Sequence, residues 1–186
     1  MSNVDDTAAN SAGARQVRTL LYHRALAIPV ETMLIGNLRA PTPNLEEHFA
    51  TVIASAPLFL GDLRKLTPQQ VTWLAEKIHW YRQLRRDVPI EEGFFPLGDW
   101  LQPSVVTWDG FARLSRRGEG IIVIFKNETD LREVKVQIPT YPAGEYKVRS
   151  VMTGDSLGAV SGSQFQSEFS APLPAQYKVQ ILEVRK

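Results

Sequence analysis

Cysteine is missing from this sequence altogether. That excludes disulfides, zinc–thiolate sites and a cysteine nucleophile, and it leaves the compartment open. An excess of one charge is missing too: Lys and Arg number 21 against 20 for Asp and Glu. No whole-chain field therefore draws it to nucleic acid or to an anionic membrane. Histidine is scarce, and His23, His48 and His79 stand far apart with no metal-ligand spacing. Neither a metal nor any other cofactor is expected. The longest apolar runs, such as Ile121-Ile122-Val123-Ile124-Phe125, are far too short to span a bilayer. The first residues lack the basic and apolar regions of a signal peptide, so a native N-terminus implies a cytoplasmic protein. Glycine-rich phosphate loops, serine-hydrolase elbows and metalloprotease helices are absent as well.

What is present is a chain of 186 residues, 44% hydrophobic and 22% charged, the composition of a globular protein with one good core or two small ones. Residues 1–13 are small and polar (Ala8, Ala9, Asn10, Ser11, Ala12, Gly13) and read as a surface loop. Arg15 to Leu26 has helical spacing, with Val17, Leu20, Leu21 and Ala25 on one side and Pro29 closing it. Residues 31–38 read as a strand. Asn44 is placed to cap a helix carrying Leu45, Phe49, Val52 and Ile53, with Glu47 at its N3 position. Pro57 to Leu60 reads as a short buried strand. A long helix then opens with Thr67, Pro68 and Gln70, a capping box, and carries Val71, Leu74, Ile78 and Tyr81 on an apolar face. Arg82, Arg85 and Arg86 crowd its last turns, where cations favour the helix dipole. Trp73 and Trp80 are expected as packing groups.

Residues 87–104, punctuated by Pro89, Gly93, Pro96, Gly98 and Pro103, read as a linker. Trp100 and Trp108 are expected to help dock what lies on either side. Beyond it the period becomes two: Val134, Val136 and Ile138 alternate with Lys135 and Gln137, and Tyr146, Val148, Ser150 and Met152 follow suit. Phe165 and Phe169 around Ser167, then Tyr177, Val179 and Ile181, give a third and a fourth such segment. Residues 105–186 are thus expected to form an antiparallel β-sandwich. Residues 14–86 should give helix, strand, helix, short strand and long helix, with the strands parallel.

Few residues carry chemistry. Asp5 and Asp6 sit where a barrel strand would end and a βα loop begin, the face on which barrel active sites are built. A carboxyl there serves as general acid when its surroundings raise its pKa. On residues alone, Asp5-Asp6-Thr7 reads as a solvated turn.

A resemblance shifts that balance. Asp5-Asp6-Thr7, the helix with Arg15 and Arg18, Ala27-Ile28-Pro29, Met33-Leu34-Ile35-Gly36-Asn37 and the run from Ala56 to Thr67 together resemble the back half of an α-galactosidase-type barrel. The families concerned are glycoside hydrolase family 36 and the raffinose synthase-like enzymes. The resemblance implies a fold: residues 1–86 as the last βα units of a (β/α)8 TIM barrel, 87–104 as linker and 105–186 as the C-terminal β domain. It also implies that Asp5 is the general acid/base, or Asp6 if the match is offset by one. Val4 and Ala8 depart from the family motif, standing where it has serine and a second acidic residue.

The function this implies is that of a C-terminal fragment of a retaining α-glycoside hydrolase acting on oligosaccharides. Retaining chemistry needs two carboxyl groups. The family's nucleophilic aspartate has no counterpart here, so the isolated chain is expected to be inactive. Exposed barrel edges would favour association. Two alternatives stand beside this reading: an α-glucosidase-type parent, and a non-catalytic β-sandwich that binds a partner or glycan. The last would need an aromatic platform, for which Tyr141, Tyr146 and Tyr177 are available.

Overall fold

The structure is a computed structural model that describes residues 2–5, 11–40 and 44–186. It divides into two compact units, Met1–Asp87 and Val88–Lys186.

The first unit alternates strand and helix: β1 (Ser2–Asp5), α1 (Ser11–Ala25), β2 (Met33–Ala40), α2 (Leu45–Val52), β3 (Ala56–Gly61) and α3 (Pro68–Asp87). The three strands lie in the order β1-β2-β3, and both pairings are parallel. This follows from the connections, because strands joined through a helix must cross over to lie side by side.

α1 begins at Ser11, inside the stretch whose composition reads as a loop. Gly13 and Ala14 are buried, so their small size serves close packing rather than loop flexibility. The helix ends where Ala27 and Ile28 both donate to the Arg24 carbonyl, at 3.0 and 2.9 Å. Pro29 follows and cannot continue it. The buried stripe runs Ala14, Val17, Arg18 and Leu21, while Leu20, expected on the apolar side, is 39% exposed.

α3 has the predicted capping box. Thr67 Oγ accepts from the Gln70 amide and Gln70 Oε1 accepts from the Thr67 amide, at 3.2 and 3.0 Å. Its buried face is Leu74, Tyr81 and Leu84; Val71, expected there, is 48% exposed. Tyr81 donates to the Ile53 carbonyl at 3.1 Å, tying α3 to the end of α2. Trp73 meets Phe49 edge-on at 5.6 Å, the packing role expected of it.

The second unit contains β4 (Gly93–Gly98), β5 (Asp109–Leu114), β6 (Gly120–Phe125), β7 (Glu133–Val136), β8 (Glu145–Ser150), β9 (Ser156–Ser161), α4 (Gly162–Ser167), β10 (Phe169–Pro172) and β11 (Val179–Arg185). Six strands form one antiparallel sheet in the order β4-β5-β6-β11-β8-β9, and β10 pairs with β7 in a second. Ala112, Ile122, Ile124, Val148, Leu182 and Val184 of the larger sheet share one buried cluster with Val134, Val136, Phe169 and Ala171 of the smaller. Alternation holds as read in β7 and β8, where Val134, Val136, Tyr146, Val148 and Ser150 are buried and the residues between them exposed. β6 and β11 sit mid-sheet, and β6 is buried at every position.

Two sequence expectations fail here. The Pro- and Gly-rich stretch 87–104 is not simply a linker: Val88 opens the second unit, and residues 93–98 form β4. Among the described residues β4 pairs only with β5, at the sheet edge, where proline is tolerated. Phe165 is in a helix, not a strand. Ser161 and Gln164 form a full capping box that starts α4, and β10 begins only at Phe169. Trp108 packs against the second unit's core.

A polar network joins α1 to α2. Arg18 is 0% exposed and Glu47 2%. Arg18 Nη1 donates to Glu47 Oε1 at 3.2 Å, and Ser11 Oγ donates to Glu47 Oε2 at 2.6 Å. Asn44 makes no capping bond with its side chain; its Nδ2 donates instead to Ser11 Oγ at 2.6 Å. The expected Asn44–Glu47 capping pair is thus replaced by bonds to the neighbouring helix. Glu47 still sits in the first turn of α2, where a carboxylate suits the helix dipole.

Two outcomes follow for stability. Arg18→Met alone should cost about 3–5 kcal/mol in urea unfolding of the first unit, because it leaves the Glu47 carboxylate buried without its cation. Gly110→Ala should destabilise the second unit by about 1–3 kcal/mol or more. A Cβ there would lie 2.2 Å from the Val123 carbonyl oxygen, backbone that cannot step aside.

Candidate functional site

In a parallel sheet every strand runs the same way, so all the carboxyl ends fall along one edge. Here Asp5 and Ala40 are the last described residues of β1 and β2 toward that edge, and β3 reaches Gly61. Asp5 lies in register with Gly36 of β2, four residues before Ala40. Asp6 lies outside the described residues.

Gly36 marks an irregularity on the other side of its strand. Ile35 pairs with Pro57 and Leu38 with Phe59, so Gly36 and Asn37 together stand against the single residue Leu58. This is a β-bulge, uncommon between parallel strands and enriched beside active sites, where the extra residue bends the strand and redirects a side chain. The bulge therefore falls on the residue in register with Asp5. Sequence reading names Gly36-Asn37 as part of a motif but has no means of seeing the bulge, which exists only relative to β3.

A second carboxyl follows the third strand. Asp62 caps the short 3-10 turn Leu63–Lys65, accepting from the Arg64 amide at 3.1 Å. Arg64 also forks onto it, Nε to Oδ1 at 2.8 Å and Nη2 to Oδ2 at 3.2 Å. These bonds hold the Asp62 carboxyl below its ordinary value, the Arg64 side chain being the chief cause. A general acid needs the opposite shift. Asp62 thus forms a local ion pair with Arg64.

The remaining candidates resolve as structure. His23 Nδ1 is 2.9 Å from the Thr19 carbonyl in its own helix, and His48 is buried in α2. No group of three or more His, Cys, Asp or Glu among the described residues could hold a metal ion. No helix among them is long and apolar enough to cross a membrane.

Tyr141 and Tyr146, considered for a glycan platform, are both 1% exposed. Their hydroxyls donate to the carbonyls of Gly118 and Arg117, and their rings pack edge to face at 5.1 Å. Burial raises the pKa of both, with Glu119 adding to it. Neither ring has a free face for sugar, and Tyr177 alone is no platform.

No protein-family model matches the sequence, and no curated protein matches it. Solved structures do. A family-36 α-galactosidase of Geobacillus stearothermophilus, crystallised with raffinose, matches 95% of this chain with a TM-score of 0.70 at 14% identity. The α-galactosidase of Lactobacillus brevis matches 97% with a TM-score of 0.70, also at 14% identity. The galactosidase domain of an α-galactosidase–sucrose kinase matches 95% with a TM-score of 0.68 at 13% identity. In each case this chain spans only about a quarter of the other, 24%, 25% and 25% respectively. The chain thus has the fold of a quarter-length segment of the family-36 α-galactosidases.

Proposed function

We propose that this chain is the C-terminal, acid/base-bearing part of a retaining α-glycoside hydrolase that acts on α-galactosides of the raffinose type. The carrying observation is the position of Asp5. It lies in a parallel strand, in register with the bulged Gly36 and toward the carboxyl side that barrel enzymes use for catalysis. The similarity in fold to α-galactosidases over nearly the whole chain supports the same reading.

In this reading β1, β2 and β3 are the last strands of a (β/α)8 barrel. Among the described residues β1 and β3 each pair only with β2, which leaves one edge of each for neighbouring barrel strands. The six- and two-stranded sheets are the β-sandwich that follows the barrel.

Chemically, Asp5 protonates the departing glycosidic oxygen in the first displacement. It then takes a proton from water in the second. The nucleophilic carboxylate must stand about 5–5.5 Å away. Asp62 is held in an ion pair with Arg64. In this reading the nucleophile comes from polypeptide beyond this segment, and the 186-residue chain is inactive by itself.

Two measurements test this. The chain alone should release no nitrophenol from 4-nitrophenyl α-galactoside. In a polypeptide that supplies the remaining barrel strands, Asp5→Ala should slow raffinose hydrolysis by about 10²–10⁴-fold. The aryl galactoside, whose leaving group needs little protonation, should suffer far less. Equal losses on both substrates would give Asp5 a different role, and turnover by the chain alone would overturn the proposal.

A further inference from the structure

The network of Ser11, Arg18, Asn44 and Glu47 sits at a telling place in the first unit. α1 follows β1 and α2 follows β2. In a βα unit the helix starts at the edge where its strand ends, so both helix N-termini lie on the edge that carries Asp5. Ser11 is the first residue of α1, Asn44 is the N-cap of α2, and Glu47 is in the first turn of α2. Each bond of the network crosses from one helix to the other. α1 packs on β1 and β2, and α2 on β2, so the two joined helices rest on the strands that bring Asp5 and Gly36 into register.

Stability does not account for such a network. Removing two charges from water is expensive, and replacing a buried ion pair with well-packed apolar groups is often neutral or stabilising. A pair of apolar side chains would hold α1 against α2 equally well, but it would not fix one helix start against the other. A carboxylate with both oxygens engaged, one by a guanidinium and one by a hydroxyl, accepts only one relative placement of its donors.

We propose that Arg18 and Glu47 are positioning residues, whose role is to hold the starts of α1 and α2 in fixed relation and thereby the Asp5–Gly36 register of β1 and β2. The proposal deepens the acid/base reading of Asp5, since it names what keeps that carboxyl-bearing strand end in place. Its geometry is independent of which reaction occurs there.

The test uses the 186-residue chain and no substrate, so the proposal can fail while the glycosidase reading stands, and the reverse. Wild type, Glu47→Gln and the double variant Arg18→Met/Glu47→Leu are compared by thermal unfolding and by amide hydrogen exchange. The double variant should unfold within a few degrees of wild type. Its amides at residues 2–5 and 36–40 should nonetheless exchange at least about tenfold faster, while those of β6 and β11 remain unchanged. Glu47→Gln, which leaves the buried Arg18 guanidinium without its counter-charge, should show the same local pattern together with a lower unfolding temperature than the double variant. If the double variant exchanges like wild type at the Asp5 edge, the positioning role is wrong. If it loses its folded state, or exchanges faster throughout the first unit, the pair is a stability element and the proposal is equally overturned.

Discussion

The place of β1 in the first unit depends on one pairing, the short parallel register between β1 and β2. Four residue pairs, from Ser2 with Met33 to Asp5 with Gly36, attach β1 to the sheet. A parallel pair is slightly weaker per residue than an antiparallel one, and four residues of β1 are described. So little ladder needs outside support, and α1 and α2 provide it. The apolar contacts of Val17, Leu21 and Phe49 supply burial, while the Arg18–Glu47 network supplies direction. The same register that holds β1 also sets Asp5 beside the bulge at Gly36 and Asn37.

The second unit rests on different physics. Its strands are antiparallel, its core is continuous between two sheets, and several of its buried polar groups bond to one another. Ser150 Oγ, for example, donates to Gln180 Oε1 at 2.9 Å, and Asn127 Nδ2 donates to Asp109 Oδ2 at 2.9 Å. Asn127 also adopts a left-handed conformation with φ of 55°, which asparagine tolerates better than most residues. Each fully buried Phe, Leu or Ile in such a core contributes about 1.5–3 kcal/mol. Tyr141, Tyr146 and Phe165 pack inward, with Tyr141 stacked on Phe165 at 4.3 Å.

Much of this architecture is legible in the residues. The Thr67–Gln70 capping box, the proline after α1 and the period-two alternation of β7 and β8 are local signals, and local signals survive folding. What escapes sequence reading depends on partners far along the chain. β4 looks like linker because edge strands admit proline and glycine. α4 is hidden because Phe165 and Phe169 imitate strand alternation, although Ser161 and Gln164 spell out a helix start. Glu47 reads as a capping residue and Arg18 as part of a helix motif, and only the approach of α1 to α2 buries them together. The candidate site shows the same division. Asp5 stands out through a resemblance in its short motif, while on composition it is an ordinary turn aspartate. The bulge opposite it requires β3 to be in place before it can exist.

The central claim is that Asp5 is the acid/base carboxylate of a retaining mechanism, and the anomer formed in azide rescue tests it most directly. Without an acid/base, an aryl α-galactoside can still form the covalent galactosyl–enzyme, and azide can attack that intermediate without base assistance. In a polypeptide that completes the barrel, Asp5→Ala supplied with azide should therefore yield α-galactosyl azide, the anomer of the substrate, because two displacements retain configuration. Formation of β-galactosyl azide, the product of a single displacement, would mean that Asp5 is the nucleophile, and the absence of any rescue alongside wild-type hydrolysis would remove Asp5 from the reaction.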